Sequence, residues 1–258
     1  MHLEKFAYAL VRRPSPKYAG YYASREIEIS DDLTASQHDA YIAALQKAGV
    51  VVTALPPHLQ HHDCIFVEDT AIVFRNRALM ARMNDARNGE QKDVESWLRD
   101  KFEIVHPPED ARIEGGDVLH LEDVTLVGRS SRTNDAGIDA LRRFMEPLGH
   151  PVQVIPVTKC LHLKSAITYL GNRTLLLTPE WLDADPPAGY QRIETDPSEP
   201  AAANALRIND FVLVSTAFTQ TNIRITQFAE MNKLQVTALD ISETQKGDGA
   251  LTCQSILW

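Results

Sequence analysis

The chain has 258 residues, 44% of them hydrophobic and 24% charged, with a formal net charge of −9. That length fits one large domain or two small ones, and the hydrophobic fraction supports a sizeable core. The acidic balance argues against nucleic acid as a partner, since phosphate binding needs basic patches; it is compatible with a cationic small molecule. Three cysteines, Cys64, Cys160 and Cys253, provide no disulfide framework. The opening Met1-His2-Leu3-Glu4-Lys5 lacks the basic start and long apolar run of a signal peptide. No stretch approaches the roughly 20 apolar residues of a membrane helix. The expectation is a soluble, cytoplasmic protein in a reducing compartment, with no membrane partner.

Ala7 to Val11 reads as a strand running into the Pro-broken loop Arg12-Arg13-Pro14-Ser15-Pro16. That loop continues to Tyr21 and Tyr22, two exposed tyrosines at the surface or on the rim of a pocket. Tyr41, Ile42, Leu45 and Ala48 recur at helical spacing across Ser36 to Ala48, and Gly49 stops the helix. Val50 to Leu55 is a short strand ended by Pro56-Pro57. Phe66-Val67 and Ala71 to Phe74 read as two strand pieces broken at Glu68-Asp69-Thr70, with another strand over Ala78 to Met83. Val94, Trp97, Leu98 and Phe102 predict a helix over Gln91 to Phe102, and Glu103 to His106 a strand. Val118 to Leu121 and Val124 to Val127 predict a hairpin turning at Glu122-Asp123. Asn134 to Leu148 is the next helix, and Val152 to Val157, Ala166 to Leu170 and Thr174 to Leu177 are strands. Glu180 to Pro200, richer in Pro and Asp, reads as a loop. A second hairpin signal follows around Asn209-Asp210, then a last helix over Asn222 to Met231. Gln235 to Leu239 and Leu251 to Leu257 close the chain as strands.

Polar punctuation interrupts this pattern at regular intervals. Asp69 to Glu114 is 45 positions, Glu114 to His162 is 48, and His162 to Cys253 is 91, or two such steps with one falling near Asn204 to Asn209. A fixed period in this range marks a repeat architecture. About five strand-and-helix modules fit the length, and radial closure would remove exposed sheet edges. Equivalent strand ends would then bring Asp69, Glu114, His162 and Cys253 to one central pocket.

Those residue types suit one another chemically. Cysteine attacks as the thiolate, which a neighbouring His or cation helps to form. His162 is the natural general acid/base. A carboxylate such as Glu114 would fix the imidazole's orientation. Glu68 and Asp69 add negative charge, so the pocket suits a planar cation donating several hydrogen bonds, as guanidinium does. Each mark taken singly has a plainer reading. Cys253 could be a buried small hydrophobe, Glu68-Asp69 an exposed turn, Gly115-Gly116-Asp117 a hairpin loop, and His162 a structural residue between leucines.

The motifs Asp63 with Phe66-Val67-Glu68-Asp69, Glu114-Gly115-Gly116-Asp117, Ser131-Arg132-Thr133-Asn134, Leu161-His162-Leu163-Lys164-Ser165 and Thr252-Cys253 together resemble the dimethylarginine dimethylaminohydrolase family. This family belongs to the guanidino-group-modifying, or pentein, superfamily. The resemblance spans nearly the whole chain. It implies a pseudo-symmetric α/β propeller of five modules, residues 1–258 forming a single catalytic domain, with no metal or organic cofactor. It implies hydrolysis of ω-N-methylated arginine to citrulline, with Cys253 as nucleophile, His162 as proton donor and acceptor, and Glu114 positioning His162 and the guanidinium. Asp69, with Glu68 beside it, would bind guanidinium nitrogens. Arg132 and Arg87 would hold the substrate carboxylate and Asp63 would lie near its amine. Tyr21 stands where the family usually carries a leucine that closes over the substrate. Arg82-Met83-Asn84-Asp85 lacks the Pro-Gly expected after its arginine, so the departures gather at the substrate's distal end.

Three rivals remain at this level. One is hydrolysis of another guanidino compound such as arginine. A second is a metallohydrolase using the cluster His58, His61, His62, Asp63 and Cys64, whose side chains are suitable donors although their spacing matches no standard zinc motif. The third is a non-catalytic binder of methylarginine. A homo-oligomer is compatible with the sequence but not determined by it.

Overall fold

The computed structural model describes residues 5–258; Met1-His2-Leu3-Glu4, read above for targeting, lie outside the described residues. In chain order the strands are β1 (Tyr8–Arg12), β2 (Val51–Leu55), β3 (Ala71–Phe74), β4 (Arg77–Met80), β5 (Glu103–Val105), β6 (Val118–His120), β7 (Thr125–Arg129), β8 (Val152–Pro156), β9 (Ile167–Gly171), β10 (Thr174–Leu177), β11 (Gln191–Glu194), β12 (Leu206–Ile208), β13 (Phe211–Ser215), β14 (Gln235–Leu239) and β15 (Ile256–Leu257). The helices are α1 (Tyr18–Ala23), α2 (Asp31–Lys47), α3 (Gln91–Leu98), α4 (Asp135–Met145), α5 (Leu163–Ala166), α6 (Thr219–Met231) and α7 (Ser242–Lys246). They build five three-stranded sheets.

Every sheet has the same plan. Its middle strand runs antiparallel to one neighbour and parallel to the other, as β4 does with β3 and β5 and β7 with β6 and β8. In four of the sheets the antiparallel step is a tight hairpin, whereas the parallel step needs a long crossover. Helices α2, α3, α4 and α6 supply four of the crossovers, and a loop with the 3₁₀ turn Pro179–Trp181 supplies the fifth. The first sheet joins the two ends of the described chain: β15 pairs with β1, and the Ala7 and Tyr8 amides both donate to the Trp258 carbonyl at 3.0 Å.

Packing between sheets turns the repeat into a closed ring. Successive strand residues face opposite sides, so each inner strand serves two neighbours. Leu10 and Ile256 pack with Met80, Val94 and Leu98 of the second module, while Ala9 and Val11 pack with Leu206, Ile208 and Leu213 of the fifth. Ile72 and Phe74 meet Val118 and Val127; Leu119 and Leu126 meet Ile167 and Leu175; Leu170 and Leu176 meet Val212 and Val214. The five apolar cores therefore lie between modules. The inner strands β3, β6, β9, β12 and β15 surround an axial cavity of about 280 Å³, floored by Glu68, Gly115, Lys164 and Thr252.

The elements differ from the sequence reading where the apolar signal is weak. The strand β11 lies inside the stretch read as a loop; it is an edge strand with one half-buried residue, Ile193, and so carries no alternation of apolar positions. The loop read through Tyr21 and Tyr22 contains α1, and Tyr22 is buried rather than exposed. The first long helix starts at Asp31, capped by the Ser30 hydroxyl accepting from the Leu33 amide at 3.3 Å. Phe66-Val67 is not a strand, since Val67–Thr70 is a 3₁₀ turn. A short helix, α7, follows the one read as last. Leu251 to Leu257 divides into a 3₁₀ turn, Thr252–Gln254, and the two residues of β15. No helix among the described residues is long and apolar enough to cross a membrane.

Trp258 stacks on Tyr8 at 5.7 Å and meets Trp97 and Phe102 edge-on. Trp258→Ala removes this seal between the first and second modules, and urea denaturation is expected to show a loss of about 2 kcal/mol, below the full cost of a core Trp because the ring is only half-buried.

Candidate active site

The site is built on the repeat. Just before each inner strand the backbone makes a short turn, and those turns carry the chemistry. Glu68 and Asp69 lie in the 3₁₀ turn Val67–Thr70 leading into β3. Glu114 precedes the turn Gly115–Asp117 before β6. His162 precedes α5 before β9, and Cys253 sits in the turn Thr252–Gln254 before β15. The fifth equivalent place, before β12, holds Asn204. Its side chain accepts from the Thr252 amide at 3.1 Å and donates to the Thr252 hydroxyl and the Lys164 carbonyl at 3.0 Å each, tying the turn that carries Cys253 to the opposite side of the ring.

The two glycines after Glu114 are required by close approach. A Cβ on Gly115 would lie 2.0 Å from the Glu68 carbonyl oxygen, and one on Gly116 would lie 2.7 Å from His162 Nδ1 and 2.9 Å from Asp69 Oδ1. Each would collide with the groups that form the site.

His162 is buried, and its Nε2 lies 2.8 Å from Glu114 Oε2 and 3.9 Å from Asp69 Oδ1. Burial opposes the imidazolium, but Asp69, Glu114 and Asp117 outweigh it and bring the imidazole up to about 9. Asp117 braces this arrangement. One of its oxygens accepts from the Leu163 amide at 2.9 Å, and the other from the Ser130 and Thr133 hydroxyls at 2.6 and 2.7 Å. Donor atoms of Asp69, Glu114 and His162 all lie within 4.8 Å of one another, a cluster that could hold a cation. A His162 that keeps its proton at neutral pH is a poor metal ligand, and the same cluster suits an organic cation with N–H donors.

Asp69 is already well supplied with donors. Arg87 Nη1 donates to its Oδ2 at 2.6 Å and the Gly116 amide to its Oδ1 at 3.1 Å. Burial pushes the Asp69 carboxyl up, but His162, Arg87 and the Gly116 amide hold it below its ordinary value. Arg87, read from the sequence as a carboxylate clamp, is itself buried. It donates through Nε and Nη2 to the Glu90 carboxylate and through Nη2 to the Phe66 carbonyl at 3.0 Å. Glu68, read as part of the guanidinium pocket, receives Lys164 Nζ at 2.5 Å and the Thr252 hydroxyl at 3.0 Å. Glu114 differs from both, because its Oε1 is buried with no hydrogen-bond partner. Arg132 Nη1 stands 4.0 Å from that oxygen on a side chain 30% exposed.

Cys253 is half-buried and packs against the apolar cluster of Tyr18, Tyr22, Ile65 and Phe66. Burial pushes its thiol well above the ordinary range, and Glu68 and Asp69 push it further. The thiol is therefore protonated in the free protein, and a cation bound beside these carboxylates would lower it. The Gly-Asp-Gly turn ahead of it is shaped by the same aromatics: a Cβ on Gly249 would lie 2.2 Å from the Phe66 ring. Asp63 receives the Tyr22 hydroxyl at 2.9 Å, and Tyr21 stacks on His62 in the same region. The other cysteines are tied elsewhere, and burial pushes Cys64 to about 11 and Cys160 to about 12.

Sequence reasoning left several participants without a role. Lys164, quoted only within the motif around His162, holds Glu68. Asp117 stood inside a quoted motif, and the period marked the place of Asn204. Glu90 and His62 carried no spacing signal, because their partners are distant in sequence or fall in irregular loops.

The family described as "N,N dimethylarginine dimethylhydrolase, eukaryotic" matches residues 21–240. The N(G),N(G)-dimethylarginine dimethylaminohydrolase of Streptomyces coelicolor is 36% identical over 252 residues, covering 96% of this chain and 95% of that protein. Among solved structures, the Pseudomonas aeruginosa enzyme, crystallised as a cysteine-to-serine mutant complexed with citrulline, superposes with a TM-score of 0.89 at 25% identity, covering 98% of this chain and all of that one. A histidine-to-glycine dimethylarginine dimethylaminohydrolase in adduct with S-methyl-L-thiocitrulline gives a TM-score of 0.90 at 26% identity, with the same coverage. The propeller of five modules is thus the pentein fold, and the protein is a cysteine-dependent hydrolase acting on C–N bonds of amidine-type groups. Within that class, the chain belongs to the dimethylarginine dimethylaminohydrolase family.

Two measurements check the electrostatics of the site. The folded-state value of His162, about 9, lies above its unfolded value of about 6.5, so its proton stabilises the fold fully below about pH 6.5 and the effect is lost as pH rises through about 9. The urea midpoint of the wild type relative to His162→Gln is expected to narrow between those two pH values. Lys164→Met leaves the buried Glu68 carboxylate uncompensated and is expected to cost about 3 kcal/mol in chemical denaturation, with Glu68→Gln in the same chain restoring most of it.

Proposed function

We propose that the protein hydrolyses asymmetric dimethylarginine and monomethylarginine to citrulline, releasing dimethylamine or methylamine through a covalent intermediate on Cys253. The observation that carries this reading is the buried, unpartnered Oε1 of Glu114 beside a His162 held near 9. An acceptor prepared for an N–H donor stands next to an imidazolium prepared to give up a proton. The citrulline and S-methyl-L-thiocitrulline in the two solved structures support the same chemistry. The five modules act as one catalytic unit, because the reacting groups come from different modules.

The guanidinium enters the acidic cluster and donates to Glu114 Oε1 and to the remaining acceptor capacity of Asp69. Its charge offsets the carboxylates that hold the Cys253 thiol up, and the thiol proton leaves to solvent. The thiolate attacks the guanidinium carbon, forming a C–S bond. His162 gives its proton to the substituted nitrogen, the C–N bond breaks, and the amine departs. Water then attacks the thiouronium carbon while neutral His162 takes a proton from it. The C–S bond breaks, the carbonyl of citrulline forms, and the remaining hydroxyl proton returns to the sulfur. Glu114 orients His162 throughout.

At the distal end, Arg132 is the group available to the substrate carboxylate, and Asp63 with Tyr21 forms the wall near the amine. Arg87 acts through Asp69, which it holds against the guanidinium site, and Glu68 is balanced by Lys164. The substrate is a small molecule. Among the described residues the donors of the His58 to Cys64 loop do not converge on one point: His61 lies 3.8 Å from Glu90 Oε1, His62 lies 3.0 Å from Asp63, and Cys64 accepts from the His58 amide.

Incubation with asymmetric dimethylarginine, monomethylarginine, arginine and agmatine, with citrulline and free amine quantified, tests the reading. Both methylated substrates are expected to be converted faster than arginine or agmatine, and a chelator to leave the rate unchanged. Cys253→Ser is expected to lower kcat by about 10³-fold or more. Failure to convert either methylated substrate contradicts the proposal.

A further inference from the structure

The histidine-rich loop that precedes the site contains one residue with no role so far. His58 Nδ1 accepts from the Gln60 amide, and His58 and His61 rings pack together at 4.4 Å. His62 turns the other way. Its ring lies flat on Tyr21, with centroids 3.2 Å apart and planes 16° from parallel. Its Nε2 is 3.0 Å from Asp63 Oδ2. The Arg25 guanidinium carbon lies 3.8 Å from the Tyr21 centroid. Two groups this close to one ring must occupy opposite faces, so Arg25, Tyr21 and His62 form a three-layer stack that ends on Asp63.

The stack joins α1 to the loop carrying His62, beside the packing of Tyr18 and Tyr22 on Ile65 and Phe66. The helix α1 has six residues and no side-chain N-cap, and Tyr18 and Tyr22 are its buried anchors. The loop around His62 has no regular structure. They meet through Tyr22, which donates to Asp63 Oδ1 at 2.9 Å, and through His62, which reaches Oδ2. Asp63 is thus held by one contact on each oxygen. Burial pushes the His62 imidazole down, while the Asp63 carboxylate beside its Nε2 pulls the other way.

We propose that His62 is a positioning residue that sets recognition of the amino-acid end of the substrate, by fixing the Asp63 carboxylate and the Tyr21 ring in place. This rests on the hydrolase reading above. His62 does not touch the guanidinium site; it aligns the acidic group that meets the α-ammonium and the ring that covers the chain leading to it. Without it, Asp63 keeps the Tyr22 bond but gains a free rotation, and Tyr21 loses the surface it lies on. Both changes raise the entropy lost on binding substrate and leave the reacting groups untouched.

The test compares two substrates: asymmetric dimethylarginine, and the same compound with hydrogen in place of its α-amino group. His62→Ala is expected to raise KM for the first about tenfold, to leave kcat within about twofold, and to raise KM for the second only about threefold, the share carried by the Tyr21 ring that covers the chain common to both. His62→Phe keeps the stacked ring and removes the ring nitrogen that faces Asp63. It reads the Asp63 contact alone in a variant whose packing is preserved, and is expected to show the same selective rise in KM at a smaller size. Equal rises in KM for both substrates, a fall in kcat at unchanged KM, or no change in either variant overturns the role of His62. Absence of turnover of asymmetric dimethylarginine by the wild type contradicts instead the hydrolase reading on which it rests.

Discussion

Four carboxylates, Glu68, Asp69, Glu114 and Asp117, are buried at the hub of the ring, and their charge has to be met inside the protein. Glu68 is met by Lys164, Asp69 by Arg87 and a backbone amide, and Asp117 by two hydroxyls and an amide. Glu114 is met on one oxygen by His162, while the other accepts no hydrogen bond and has only the Arg132 guanidinium 4.0 Å away. This distribution decides the chemistry. Three carboxylates are held by the protein itself, and the fourth keeps an acceptor for a ligand. The same negative field holds the His162 imidazole and the Cys253 thiol above their ordinary values, and in the proposed reaction a bound guanidinium would offset it at the thiol.

That hub exists because the fold closes. The cores between adjacent modules fix the angle of each sheet, and the pairing of β15 with β1 brings Cys253 to the same axis as Asp69. The turns before the five inner strands are equivalent places, and four of them carry reactive or acidic side chains. The fifth carries Asn204, whose side-chain amide bonds the backbone and hydroxyl of Thr252, the neighbour of Cys253. Glu68, Gly115, Lys164 and Thr252 line the axial cavity. Each lies within two residues of a site residue along the chain. The ion pair between Glu68 and Lys164 therefore bears on the geometry of cavity and site alike.

Much of this was legible in the sequence because a repeat imposes a period. The spacing of Asp69, Glu114, His162 and Cys253 marked the five modules, and even located the place of Asn204, although it could not say that this residue binds Thr252. The hairpins of the third and fifth modules were readable from alternating apolar strands around Glu122-Asp123 and Asn209-Asp210. The strand β11 was not, because an edge strand exposing Gln191, Arg192 and Glu194 has no apolar face to announce it. The partners of the charged groups were less readable still. Nothing local indicates that Arg87 turns inward to Asp69 and Glu90, or that Lys164 reaches Glu68 across 96 residues. Charge pairing at the hub is a property of the closed ring, and a linear pattern records which charges are present without recording how they are matched.

The central claim is that Cys253 forms a covalent bond to the guanidinium carbon, and it is tested most directly by intact-protein and peptide mass spectrometry on samples acid-quenched during turnover of asymmetric dimethylarginine. The account predicts a transient adduct on the peptide that contains Cys253, appearing before citrulline and decaying with its formation. Citrulline production with no adduct on that peptide at any time, in a protein that remains fully active as Cys253→Ser, would contradict it.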